Sequence, residues 1–421
     1  MEGSERLPVT ASVGALLIIA VTYVVNAMDR MVFATLLPRV AEEYGFSLAA
    51  GGFLATIFTL GLGIAGIPAG FMLDRSSRKA VAVIGIGIYS ISTMLTALSV
   101  GFYDMAAYRV AAGAGEAFQN AAVFSMAGAY FAGSRALAFG VLNVAYGIGS
   151  LVGPRWGAHL LAESGSWRLP LYIYGIVGLV GALAMLLLVP ACFSDWRTDR
   201  AVIDVDPEHH IPGRLINRNT ILVSLAAIGG GVAGYGYLGL YPTFLRTELA
   251  FSVQAAGTAA SMYGAGALTG LLGGYLADRV SQKWMTILAL IALGLVGYAL
   301  FNVATTPLWQ GLLSFLEGAA LSGFLYINNY SLMQRSVRSA ITGRASGMVV
   351  TCVYLSGAFS GYLFANLVGW IGWGGAALMQ MSLFLAVPVV AMFFFDLAAT
   401  SCKSGHGRGA EHRRARMRDA A

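Results

Sequence analysis

Charge is what this 421-residue chain has least of: only 11% of its residues are Asp, Glu, Lys or Arg, less than half of the roughly 25% that a soluble surface carries. A chain of this length folded in water would need far more polar surface to cover its core, so a cytosolic enzyme and a disordered scaffold are both excluded. Cysteine is scarce as well. Cys192, Cys352 and Cys402 are odd in number and far apart, which suggests neither a disulfide framework nor a cysteine metal site. Of the five histidines, the adjacent His209 and His210 lack a third ligand nearby and read as solvated loop. No histidine cluster, metal-ligand spacing or nucleophile elbow is present, so no enzymatic activity, cofactor or metal is expected. The formal charge of +6 owes much to Lys403, Arg408, Arg413, Arg414, Arg416 and Arg418 near the end. A short basic tail after a hydrophobic segment reads as a flank near anionic lipid, not as a nucleic-acid arm.

What the chain has in excess is apolar sequence. Apolar residues make up 57% of it, with 54 glycines besides. Runs of spanning length recur with short polar breaks, at 12–37, 48–73, 80–99, 103–126, 136–161, 169–190, 219–245, 254–277, 285–303, 308–332, 343–369 and 373–396. In hydrocarbon every backbone amide must be paired within its own segment, so these twelve runs are expected to be transmembrane helices of an all-α integral membrane protein. The first run outlasts the apolar stretch of a signal peptide and lacks a small-residue cleavage site, so it is expected to stay as a membrane helix. Twelve spans place both termini on one side. With that count the basic residues fall almost entirely on the terminal side, and the opposite loops hold only Arg39, Arg168 and Arg246. The positive-inside rule then makes both termini cytoplasmic, which suits a bacterial inner membrane. Lipid-facing helices need no second subunit, so a monomer in the bilayer is expected.

The chain also repeats itself. Pro38 and Gly70-x-x-x-Asp74-Arg75 are answered by Pro242 and Gly274-x-x-x-Asp278-Arg279, each at an offset of 204 residues. Phe46-Ser47 and Phe251-Ser252 follow the two prolines in the same way. The expected division is therefore an N-terminal six-helix half over 1–190, a polar linker over 191–218, a pseudo-symmetric C-terminal half over 219–396 and a basic tail over 397–421. Duplicated halves of this kind point to a transporter that rocks one half against the other around a midplane site.

The loop Gly70-Phe71-Met72-Leu73-Asp74-Arg75-Ser76-Ser77-Arg78-Lys79 resembles the signature loop of the major facilitator superfamily, with Ser77 where the family commonly has glycine. The resemblance implies that fold, with Gly70 packing two helices closely. It also implies a cytoplasmic gate in which Asp74, with Arg75 and Arg78, latches onto Arg135 at the start of span five, echoed by Asp278 and Arg279. Span four reads Arg109-Val110-Ala111-Ala112-Gly113-Ala114-Gly115-Glu116, similar to the family's Arg-x-x-x-Gly-x-Gly pattern. Seven residues place Arg109 and Glu116 on one helix face, about 10 Å apart along the axis, and a charge at that depth must be paired or hydrated.

Asn26-Ala27-Met28-Asp29-Arg30 in span one resembles the organic anion:proton symporter branch, which includes sugar-acid and aromatic-acid carriers, and also the spinster-like branch. That resemblance implies Asp29 and Glu116 as proton sites, Arg109 as the anion clamp and Arg30 beside it. Glu317 in span ten either completes a proton path or pairs with Arg30 or Arg109. Asn26, Tyr235, Tyr241, Tyr326 and Asn329 are candidates for substrate contact through amide and aromatic groups. Counting Arg155, three intramembrane arginines oppose three acids, so one added proton gives the cavity +1, which a monoanion would neutralise. The expected function is proton-coupled symport of a small organic anion, a carboxylate. The Gly153-Pro154 pair keeps open a proton antiporter exporting amphipathic compounds, and the spinster-like features keep open a lipid-moving or sensor protein on the same scaffold.

Overall fold

The computed structural model describes residues 7–131, 135–195, 212–277, 279–338 and 341–400. The first half comprises α1 (Val9–Tyr44), α2 (Leu48–Thr56), α3 (Phe58–Arg75), α4 (Arg78–Ala97), α5 (Phe102–Tyr130), α6 (Arg135–Ser164), α7 (Arg168–Leu188) and the short α8 (Ala191–Ser194). After the linker come α9 (Arg218–Thr247), α10 (Val253–Ala267), α11 (Gly270–Ala277), α12 (Gln282–Asn302) and α13 (Pro307–Gly318). A π-helical stretch, Ala319–Tyr326, leads into α14 (Ile327–Arg335). Then follow α15 (Thr342–Ala358), α16 (Ser360–Ala377), a second π-helical stretch over Leu378–Leu383 and α17 (Phe384–Phe393).

Eight segments among the described residues are long and apolar enough to cross a membrane. One of them, Gly347–Phe393, breaks at Gly372, where φ of 72° leaves the helical region and separates two crossings. Helices α5, α6 and the α10–α11 pair complete the expected twelve. The α10–α11 pair is split into pieces of 15 and 8 residues, each shorter than a full span. Leu17, Val21, Ile91 and Leu183 are exposed on the outside, where apolar side chains meet lipid.

The two halves share devices beyond those legible as motifs. Ser47 accepts the Ala50 N–H at the start of α2, and Ser252 accepts the Ala255 N–H at the start of α10, satisfying one of the orphan amides of each helix. Lys79 Nζ donates to the Leu186 and Val189 carbonyls at the end of α7, and Lys283 Nζ to those of Phe393 and Phe395 at the end of α17. Each lysine therefore caps the last helix of its half, where the dipole favours a cation. At the opposite end Trp167 Nε1 donates to Glu43 at 2.7 Å, and Trp373 Nε1 to Glu248 at 2.9 Å. Arg168 also pairs with Glu43 at 2.7 Å, and its hydrogen bond holds that carboxyl below the usual carboxylate range.

Packing differs sharply between the two ends of the molecule. At the end that carries Arg75 and Lys79, called proximal, one core runs from Ala15 through Tyr130 to Phe193 and a separate one from Val223 through Leu332 to Phe395. At the distal end a single core crosses between the halves, joining Leu36, Val40 and Trp167 to Tyr241, Phe244 and Phe364. There the backbones of α2 and α16 touch at Gly52 and Gly361, and those of α6 and α10 at Leu151 and Gly264. A methyl group at any of these glycines would overlap backbone. Thr56 Oγ1 donates across the first contact to the Ala358 carbonyl at 2.9 Å, and Arg155 across the second to Thr258 at 3.2 Å. By contrast, a Cβ at Gly70 or Gly274 would meet nothing within 4 Å. Among the described residues the close packing that the resemblance implies for Gly70 is not formed, although α3 and α15 still meet nearer mid-depth at Gly63 and Leu355 and a small core joins Phe58, Leu62 and Ala65 to Tyr235.

Candidate functional site

Midway along α1 the backbone sends two adjacent charges in different directions, since successive helical side chains diverge by about 100°. Arg30 turns toward α5. Its Nε donates to Glu116 Oε2 at 2.7 Å, and its Nη2 lies in an ion pair with the same oxygen, also at 2.7 Å; the two side chains are 2% exposed. Nη2 also reaches Asn26 Oδ1 at 3.3 Å, and Nη1 reaches the Tyr354 hydroxyl of α15 at 3.4 Å. The guanidinium lies 5.8 Å from the Tyr146 ring centroid and 5.9 Å from that of Tyr354. Asn26 donates in turn to Gln119 at 2.9 Å, and Gln119 to Thr22 at 3.2 Å. A continuous polar ladder therefore fixes the rotamer of Arg30 from behind, while Arg30 itself lines a cleft between α1, α2–α3 and α9.

Asp29 turns instead toward α4, where Thr93 donates to its Oδ2 at 2.8 Å. Its Oδ1 finds no hydrogen-bond partner among the described residues. Arg109 lies within Coulombic reach of Asp29 and Glu116 but hydrogen-bonds neither; its Nε reaches only the Leu54 carbonyl, at 3.4 Å. Its guanidinium is held between the Phe33 and Phe58 rings, 4.4 and 4.9 Å from their centroids, and Nη2 has no partner among the described residues. Arg109 thus sits behind Phe58, one layer back from the cleft that Arg30 reaches directly.

The structure narrows the reading of two charges, leaving Glu317 with the alternative of a proton site. Glu317, fully buried at the end of α13, pairs with neither Arg30 nor Arg109, and both its oxygens lack partners among the described residues. A carboxyl in that setting needs a proton or a cation to neutralise it. Arg155 is exposed and bonded to Thr258, so it leaves the intramembrane balance, which becomes Arg30 and Arg109 against Asp29, Glu116 and Glu317.

The second half contributes aromatic walls. Tyr235 packs on Phe58 and Tyr354, each 6.1 Å away between centroids. Tyr241 lines a second cleft, yet its hydroxyl is already engaged with Gln310 at 2.9 Å. Tyr326 lies beside Tyr330 within the π-helical turn that follows Glu317. Asn329 is buried with its Oδ1 unpartnered among the described residues. Of the gate candidates, Arg75 and Arg279 are exposed, Arg279 stacks on Tyr275, and the Arg78 amide donates to Asp195. Asp278 and the side chains of Asp74 and Arg135 lie outside the described residues.

Gln119 and Thr93 escaped the sequence reading. Gln119 stands three residues after Glu116, and Asn26 four before Arg30, so helical spacing alone aligns this ladder. Nothing in the sequence marks Thr93, or the Phe33 and Phe58 rings around Arg109, because those contacts join helices distant in the chain.

Twelve crossings in two related halves, sealed at one end around buried charge at mid-depth, define a membrane transporter rather than an enzyme. The chain belongs to the Major Facilitator Superfamily, which it matches over residues 19–361. It is 24% identical over 388 residues to the cis,cis-muconate transport protein of Acinetobacter baylyi, covering 88% of this chain and 91% of that one. To the probable L-galactonate transporter of Escherichia coli it is 25% identical, over 64% of this chain and 62% of the relative. A crystal structure of a bacterial homologue of the human lysosomal transporter Spinster, inward-facing and occupied, superposes with a TM-score of 0.73 at 19% identity, covering 94% of this chain and 98% of that one.

Proposed function

We propose that the protein is a proton-coupled symporter of a small organic anion, acting as a monomer in the cytoplasmic membrane with both termini inside. The observation that carries this reading is Arg30, which faces the cleft while Glu116 holds it from behind at 2.7 Å. A substrate carboxylate entering the cleft offers Arg30 the same kind of anionic partner that Glu116 provides. Glu116, once displaced, would be a dry carboxylate without its cation, a state a proton relieves. Binding of anion and proton are thereby linked, and neither travels without the other. Asn26 orients Arg30, and Arg109 keeps the region positive against Asp29. Glu317 is a second proton site, in the other half. The two named relatives are a muconate transport protein and a probable galactonate transporter, and both of those anions are carboxylates, which supports this substrate class.

In this reading the halves 1–190 and 219–396 rock about the site. Closure on the distal side is supported by the close backbone contacts at Gly52–Gly361 and Leu151–Gly264. The opposite state closes when Asp74 and Arg75 meet Arg135, with Asp278 and Arg279 as the counterpart. Reconstituted into liposomes, the protein is expected to accumulate radiolabelled cis,cis-muconate or another carboxylate when the outside is made acidic, and to lose that accumulation with a protonophore. Uptake of no carboxylate above that of protein-free vesicles would contradict the reading.

A further inference from the structure

The repeat places a cation in the first half that the second half does not match. Gly113 packs on the Phe58 carbonyl as Gly318 packs on the Tyr263 carbonyl, and Gly61 meets Val110 as Gly266 meets Phe315, each pair 205 residues on. At that offset Arg109 is answered by Ser314 and Phe58 by Tyr263. The offset of 204 that relates Pro38 to Pro242 pairs Phe33 with Tyr237. The guanidinium held between Phe33 and Phe58 therefore corresponds to the Ser314 hydroxyl, which shares a hydrogen bond with Tyr237 at 2.7 Å. Tyr237 and Tyr263 keep the two rings, 6.0 Å apart between centroids. The charge between them is gone.

In its place the second half buries an acid. Glu317 follows Ser314 by three residues, on the same face of α13, and both are fully buried. Tyr237, Tyr241 and Tyr263 lie within Coulombic reach of this carboxylate, and no cation among the described residues does. A proton would remove the charge but would bring no donor to the second of its two unpartnered oxygens. A cation reaches both. Tyr237, Ser314 and Tyr263 add neutral oxygens, each engaged in one hydrogen bond and keeping a lone pair free. One carboxylate among neutral oxygens matches a single charge on a hard ion. No group of three His, Cys, Asp or Glu is present among the described residues to hold a divalent one. The cleft walled by the same tyrosines has room for about one water molecule. Thr35 and Ser150 line it with buried hydroxyls that lack partners among the described residues. Such a passage admits a small ion and excludes an organic cation.

We infer that Glu317, with the Ser314 and Tyr237 hydroxyls, binds a sodium ion, which stands in the second half where the Arg109 guanidinium stands in the first. This goes beyond carboxylate transport: it gives Glu317 an occupant that competes there with a proton, and it leaves Arg30 untouched. The test is made on the purified full chain in detergent at alkaline pH. It is expected to bind one radioactive sodium ion per chain, displaced by acid and not by potassium at equal ionic strength. It should also unfold about 2 °C or more higher in saturating sodium chloride than in potassium chloride. Glu317→Gln should abolish both effects. Ser314→Ala, which only removes an oxygen, should weaken sodium binding by about tenfold. Ser314→Lys supplies a tethered ammonium where the first half has Arg109, and should unfold at the same temperature in either salt. Equal effects of sodium and potassium, or sodium binding that survives Glu317→Gln, would overturn the inference. Carboxylate uptake measured alongside separates the two readings: uptake with no sodium binding would overturn this one alone, and sodium binding with no uptake would overturn only the carboxylate reading.

Discussion

Arg30→Gln should lower carboxylate uptake by about 100-fold or more, since losing one partner of a buried charge pair costs several kcal/mol. Glutamine keeps a hydrogen-bonding group at the position but removes the charge and the paired donors. The single substitution also strands Glu116, and an uncompensated buried charge destabilises a fold by roughly 3–5 kcal/mol unless it takes up a proton. Arg30→Gln/Glu116→Gln separates the two effects. Thermal unfolding in detergent should recover most of the lost stability in the double variant, while uptake stays absent. Arg30→Lys should fall between, because an ammonium preserves charge without the planar fork. Wild-type uptake by Arg30→Gln would remove this residue from the site.

Gly52→Val should hold the transporter open at the distal end. The contact with Gly361 is backbone on backbone, so neither neighbour is a flexible side chain that can step aside. Overpacking of this kind costs about 1–3 kcal/mol, which depopulates the distally sealed state by roughly five- to 150-fold. A cysteine placed at Ala34, in the shared wall of the clefts, reports the change. Its labelling by a membrane-impermeant reagent from the distal side should rise, and uptake should fall by about tenfold or more. Gly70→Ala supplies the contrast: its methyl enters open space in the state described and should leave that state's population unchanged. Equal distal labelling of Gly52→Val and the unmodified background would show that the glycine contact is not the seal.

Much of this architecture was legible in the sequence, and the reasons are physical. Spanning length and the backbone's need for internal pairing mark the helices without any tertiary information. The offset shared by Gly70-Asp74 and Gly274-Asp278 marks the duplication, and the lysine caps at Lys79 and Lys283 continue it at the same spacing. Arg30 and Glu116 stood out because charge inside an apolar run must be explained, and Asn26 because it opens the same Asn26–Arg30 motif. Direction was the hidden variable. Asp29 and Arg30 are neighbours in sequence, yet one turns to Thr93 on α4 and the other to Glu116 on α5. The resemblance implied Arg109 as the clamp; what it could not give is the rotation of α5, which sets the guanidinium between the Phe33 and Phe58 rings. Arg155 was counted with the buried charges although it is exposed and sits at the distal contact. That Glu317 has no partner among the described residues could not be read either, since it depends on contacts between helices distant in the chain.

The link between the Arg30–Glu116 pair and coupling is tested most directly by following protons and substrate together in proteoliposomes, with a pH dye outside and a labelled carboxylate added to the medium. The unmodified protein should alkalinise the medium as the acid enters. Glu116→Gln should still exchange labelled for unlabelled acid across the membrane, yet show no proton movement and no uphill accumulation. Alkalinisation persisting at full rate in Glu116→Gln would place the coupling proton elsewhere and contradict the competition at Arg30.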